Sequence, residues 1–311
     1  MGKTLLILFA GFAASFGVLA MSKSQRLASS IDRMLNQVSD YSAKNAANSG
    51  AHKALNQLYL NPAWRGIYNN LNIAGGTANI TVVNDSANGA PKAHYVKILS
   101  SSANALSQVI VFDSEFHEFA VWAKDSVNLV STATQDSNGV NNSDLLRQKA
   151  PFMPKIDEGK FYNMAAGQDH LCSEDVESHF HPDPGYPGTG SFYVDTLAVP
   201  KVANVVYING NLHIQDGRTV YGIYLVEGDV FFDTNVKLEG VIYLPNATSE
   251  IYGHSSMAAL DNSQVVGGIV TWGKIDLGIA RLNVRHRPAY LRELVSISDT
   301  YNPPIRVLTW K

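Results

Sequence analysis

The chain holds a single cysteine, Cys172, so no disulfide can form within it, and redox compartment cannot be read from bridges. The lone thiol reads as a buried or free side chain. Charge is scarce: Asp, Glu, Lys and Arg make up 16% of the residues, well under the usual quarter. Net charge is −3, and basic residues gather only in one short run, Arg281, Arg285, His286 and Arg287. That excludes the broad positive surface nucleic acid needs, and the run reads as a solvated strand face. Nucleotide-binding and hydrolase signatures are missing too. The sequence has no glycine-rich phosphate loop, no GxGxxG, no GxSxG, no CxxC and no HExxH. No cofactor is therefore expected. What is present is 311 residues, 45% of them hydrophobic, enough for two ordinary domains and a sizeable core.

In the second half one pattern recurs. Residues 206–214, 224–232, 242–250 and 269–277 each run as an apolar stretch, a small or turn-forming residue, then a second short stretch. The turn residues Gly210, Gly228 and Asn246 stand 18 apart, and Gly273 follows after 27, as if one repeat carried nine extra residues. A fixed period of apolar alternation punctuated by Gly or Asn is the mark of a β-solenoid, whose coils cover one another's inward side chains. Residues 119–129 have the same pattern and read as the opening coil. Residues 302–311 read as a final strand capping the stack and hiding an open sheet edge. From 131 to 200 polar and turn residues dominate, with Pro182, Pro184 and Pro187 close together, which predicts a loop-rich insertion.

The amino terminus is of another kind. Residues 4–21 are almost unbroken apolar sequence, with Lys3 before them and Lys23 and Arg26 after. Two readings stand. One is a secretory signal peptide, for which residues 18–20 offer an imperfect cleavage site. The other is a retained membrane helix, since about 18 apolar residues just reach across a bilayer core. The following residues favour retention. Leu27, Ile31, Met34, Leu35, Val38, Tyr41, Ala46, Ala51, Leu55 and Leu58 recur mostly at three- and four-residue spacing, with Gly50 the one interruption before Asn61 and Pro62. The predicted helical region is 1–62, apolar over 4–21 and amphipathic over 22–60. At 1.5 Å per residue its helix is about 80 Å long.

A helix that is apolar in its first half and amphipathic in its second resembles that of type IV pilin-like proteins. Residues 43–58, a small-residue stretch before an Ala/Leu-rich end, look like the helix of PilX-type pilus-assembly proteins. The likeness covers about residues 1–65. It departs from the family at the leader: no basic stretch ends in Gly before a Phe, and no glutamate stands fifth in the apolar run. The repeats are similar to those of bactofilin-like, polymer-forming β-helices. These resemblances imply a bacterial cell-envelope or surface protein whose helix sits in the membrane before assembly. Afterwards it would pack against copies of itself or other pilins through Leu5, Leu6, Leu8, Phe9, Phe12, Phe16 and Leu19.

Between helix and repeats, 63–118 reads as a small antiparallel β region packed on the second half of the helix. Its strands are 78–83, 94–99 and 108–112, with turns at Gly75, Gly76 and 85–89. Candidate chemistry is thin. His179, His181 and Asp183 alternate as metal ligands on one side of a strand would, and Asp169 and His170 precede them. All stand in one loop-rich stretch, and His170, His179, His181 and Asp183 make only weak candidates. Glu227, Asp229, Asp233, Glu239 and Asp276 invite comparison with polysaccharide-cleaving β-helices. The places equivalent to Glu227 and Asp229 hold Asn209 with Asn211, Pro245 with Ala247, and Trp272 with Lys274, so no carboxylate ladder forms and no catalytic residue is assigned. Tyr207, Tyr224, Phe231, Phe232, Tyr243 and Trp272 fit stacked core layers better than a sugar-binding stripe.

The fold expected is α+β: a long amino-terminal hydrophobic and amphipathic helix, a small antiparallel β region, then a right-handed parallel β-solenoid over 119–311 with its insertion at 131–200. The function expected is structural and not enzymatic: a subunit of an extracellular pilus-like filament, or a minor pilus-assembly component. The alternatives are a secreted or membrane-anchored adhesin or carbohydrate-binding solenoid and, further off, a polysaccharide-active β-helix enzyme.

Overall fold

The computed structural model describes residues 2–73, 76–87, 90–172, 190–253 and 263–311. They divide into two units, 1–113 with 305–311, and 114–304.

The first unit begins with helix α1, Gly2–Leu60, which runs unbroken through the apolar and amphipathic stretches. It stops where the sequence demands, since Pro62 disfavours helical backbone at the residue before it. Asn61 closes the end, its carbonyl accepting from Trp64 N at 2.9 Å and its side chain from Ala63 N at 3.2 Å. Strands β1 (Gly66–Ile73), β2 (Gly76–Ala87), β3 (Ala90–Ser102) and β4 (Ala105–Phe112) form an antiparallel meander in chain order. Ala51, Ala54 and Leu58 of α1 pack on Ile80, Val82, Val96, Ile98, Val109 and Val111 of the sheet. The helix approaches closely because its buried row is small: at Gly50 a Cβ would lie 2.3 Å from Ser100 Oγ.

Two expectations change here. The sheet meets α1 only from about Ala43 onward, while Leu27, Ile31, Met34, Leu35, Val38 and Tyr41 are exposed. The last strand, Arg306–Trp310, does not cap the repeats; it pairs antiparallel with β4 on the edge of this sheet.

The second unit opens with β5 (Val121–Ala123), β6 (Thr132–Gln135), β7 (Leu146–Arg147), helix α2 (Glu158–Gly167), β8 (Leu171–Cys172), β9 (Tyr193–Asp195) and β10 (Val202–Ala203). The repeats follow as β11 (Val205–Ile208), β12 (Leu212–Ile214), β13 (Thr219–Val226), β14 (Val230–Phe232), β15 (Lys237–Leu244), β16 (Glu250–Gly253), β17 (Gln264–Thr271), β18 (Lys274–Ile275) and β19 (Leu282–His286), then helix α3 (Pro288–Ser298). From β11 to β19 the chain alternates between two parallel sheets, odd-numbered strands in the larger and even-numbered strands in the smaller. Pairing offsets carry the repeat. Val205 pairs with Ile223, Thr219 with Lys237 and Leu212 with Val230, each 18 residues on, and Lys237 pairs with Gln264, 27 on.

Both sheets contribute to one core, with Val206, Tyr224, Ile242 and Ile269 from the larger and Leu212, Val230, Ile251 and Ile275 from the smaller. The far halves of β13, β15 and β17 are buried on both faces, because α2 packs on β11 and α3 on β15 and β17. Continuous apolar runs such as 223–226 and 241–244 are what two-sided burial requires.

The insertion is more ordered than expected. Among the described residues it supplies β6, β7, α2, β8 and β9. Nor is 119–129 an opening coil beside β11. There β8 takes the neighbouring place, while β5 pairs with β17 and β6 with β19, at the other end of the larger sheet.

Candidate functional site: the exposed amino-terminal helix

The expected assembly residues are uncovered by the described part of the protein. Leu5, Leu6, Leu8, Phe9, Phe12, Phe16 and Leu19 are all exposed, from 58% for Leu8 to 73% for Leu6. None of the apolar window is buried, and the helix is long and apolar enough to cross a membrane. Full burial of one such side chain is worth about 1.5–3 kcal/mol, so the stretch carries a strong drive toward lipid or another apolar surface. These seven residues gather on about half of the circumference of α1. Ile7 and Val18, exposed as well, stand on the other half, so the stretch as a whole is apolar all round and suits an all-apolar environment.

Among the described residues the polar candidates assemble no comparable centre. His170 Nδ1 lies 3.3 Å from the Val205 carbonyl. His179, His181 and Asp183 fall outside the described residues. Among the described residues no group of three or more His, Cys, Asp or Glu is placed to hold a metal ion. The carboxylates of the repeats are held one by one. Asp229 Oδ1 accepts from Glu250 N at 2.7 Å, Asp276 Oδ1 accepts from Asn128 Nδ2 at 2.9 Å, Asp233 faces His213 Nε2 at 3.1 Å, and Glu239 pairs with Lys237.

Glu227 is the most engaged of them. Its Oε1 accepts from Tyr207 Oη at 2.7 Å and its Oε2 from Asn246 Nδ2 at 2.9 Å. Burial, then the bond to Glu227, hold the Tyr207 hydroxyl far above its ordinary pKa. Burial, then the Glu227 charge, raise Glu158 at the start of α2. Tyr162 of the same helix meets Tyr207 edge-on at 5.3 Å. Sequence reasoning missed Glu158 and Tyr162 because they stand in the stretch read as loops; the amphipathic spacing of Phe161 and Ala165, both buried, was the signal available.

A second grouping was missed as well. Glu115, His117 and Arg292 help line an open cleft of about 520 Å³. His117 Nδ1 is 3.0 Å from Glu115 Oε2, and His286 Nε2 is 2.9 Å from the His117 carbonyl. Burial, then the charges of Arg292 and His286, take the His117 pKa down to about 4.

The aromatics of the repeats divide by face. Tyr224 and Phe232 are in the shared core and Tyr243 is buried, whereas Tyr207, Phe231 and Trp272 are only half-buried. His213, Phe231 and Tyr252 occupy one register across β12, β14 and β16, with ring centroids 4.8 and 5.0 Å apart. They form an outward ladder that the core reading did not foresee for Phe231.

No protein-family model, no curated protein and no solved structure matches the chain.

Proposed function

We propose that the protein is a structural, non-enzymatic subunit of a pilus-like filament on a bacterial cell surface, or a minor component of its assembly. The observation that carries this reading is the exposed apolar stretch of α1, which finds no covering among the described residues. Residues 4–21 would lie in the membrane before assembly and against other copies of the helix afterwards. Such burial is non-directional and tolerates either environment, which a transfer from lipid to filament requires.

The repeats fit a display role. The offset of 18 residues in the first repeats, the alternation between two sheets and the common core support a right-handed parallel β-solenoid. The handedness follows from the rule for parallel crossovers. Asp229, Asp233, Glu239 and Asp276 are each held by a separate neighbour, which supports binding or scaffolding over glycan cleavage.

The test combines electron microscopy of surface filaments with mass spectrometry of their subunit. Residues 4–20 should be found in the assembled subunit, and deleting 4–21 should abolish filaments. A native product that begins downstream of Met21 and stays monomeric would overturn the reading.

A further inference from the structure

We propose that residues 27–41 of α1 form a two-stranded parallel coiled coil with the same residues of a second copy of this chain. Leu27, Ile31, Met34, Val38 and Tyr41 follow one another at spacings of 4, 3, 4 and 3. That heptad rhythm keeps a single seam on one side of a supercoiled helix. All five are exposed, so the seam finds no cover among the described residues. The unit's own sheet does not supply one, because it packs on the opposite side. The buried row there includes Ala47 and Ala54, and Ala47 lies nine residues, about two and a half turns, beyond Val38.

Charge and shape both fit a copy of the same helix. Arg26, Asp32, Arg33 and Asp40 fall away from the seam, and the flanking positions Ala28, Ser30, Leu35 and Gln37 are uncharged. Two copies in register therefore meet without like charges opposed. β-Branched Ile31 and Val38 hold one core position of the heptad, and Leu27 and Met34 the other, the combination that favours two strands in parallel. Five such side chains on each of two helices bury on the order of 1,000 Å², the lower bound for a specific interface.

The row extends toward the amino terminus in the same rhythm as Ser24, Ala20, Gly17 and Ala13. Large residues give way to small ones where the apolar stretch begins. This suits a change of solvent, since helices in lipid approach through small residues while helices in water gain from large ones. The inference rests on the proposed function in one respect: retention of 4–21 in a shared bilayer gives the two helices the same direction and level.

The test is disulfide scanning of the full-length chain in membranes, in a Cys172→Ser background. Ile31→Cys, Met34→Cys and Val38→Cys probe the seam; Ser29→Cys, Asp32→Cys and Asn36→Cys probe the other side. A disulfide needs Cα atoms within about 7 Å, so seam positions should give covalent dimers at least about tenfold above the other three. Equal yields on both sides, or no dimer at any position, would overturn the pairing. Imaging the same cells separates the two readings. Seam-specific dimers without filaments would keep the pair and remove the filament, and filaments without seam-specific dimers would do the reverse.

Discussion

Gly222, Gly240 and Gly267 sit side by side in β13, β15 and β17, each paired with the next. A Cβ at Gly240 would fall 1.7 Å from the Gly222 carbonyl oxygen, and backbone cannot yield as a flexible side chain does. Gly240→Ala should therefore cost about 3 kcal/mol or more in the second unit, at the upper end of overpacking effects. Gly167→Ala, where nothing lies within 4 Å, should change stability by under about 1 kcal/mol. Denaturant midpoints of the two variants check the contrast.

His117 makes a second prediction at this scale. Its folded pKa of about 4 lies below the ordinary 6.5, so the native state binds fewer protons between those values. Its contribution is fully present above 6.5 and is lost as the pH falls from there toward 4. His286, lowered chiefly by burial, acts in the same sense; Glu115, raised by burial and by Glu118, opposes it at the acid end. Stability should fall by about 1–2 kcal/mol from pH 7 to pH 4.5, allowing for solvent screening. His117→Gln should flatten that slope in denaturant titrations across the range.

Among elements, α1 shows which part of the fold could be read in advance and which could not. The period of 18 was legible because in-register parallel stacking pairs each residue with its own repeat, so pairing offset and sequence period are one quantity. The meander was legible from alternation that matches one buried face. The helix face that meets the sheet was less so. Apolar spacing picks out Leu27 through Tyr41 together with Ala46, Ala51, Leu55 and Leu58, whereas packing uses only the later part of that row and adds Ala43, Ala47 and Gly50, whose value is their small size. The place of β5, paired with β17 from 148 residues away, left no local mark, and nothing in 302–311 distinguishes a cap on the repeats from an edge strand on β4. The Glu158–Glu227 grouping was hidden for the same reason, since only tertiary packing of α2 brings the two together. Size matters most where the helix meets the sheet, which gives a test. Ala46→Leu, at a fully buried site, should cost about 1–3 kcal/mol and lower the melting temperature of the first unit. Ala28→Leu, at an exposed site, should leave it unchanged.

For the molecule taken whole, the apolar stretch and the folded cores make separable demands. None of residues 5–19 belongs to the hydrophobic clusters of either unit, so changes there should alter where the protein resides without altering how it folds. Phe12, near the middle of 4–21 and exposed, is the position at which to separate the two. A charged residue at the centre of a membrane helix costs about 2.5–3.5 kcal/mol, roughly a hundredfold in a partition equilibrium. Between packed helices the cost is higher still, because the charge has no partner and the neighbours cannot hydrate it. Phe12→Arg should therefore strip full-length protein from membranes under alkaline extraction and suppress filaments, while Phe12→Leu should do neither. Circular dichroism and the unfolding midpoint of the β units should be the same in both variants. Membrane retention and filaments unchanged in Phe12→Arg would mean that neither lipid nor a neighbouring helix covers this side chain, and the assembly role of the stretch would fall with it.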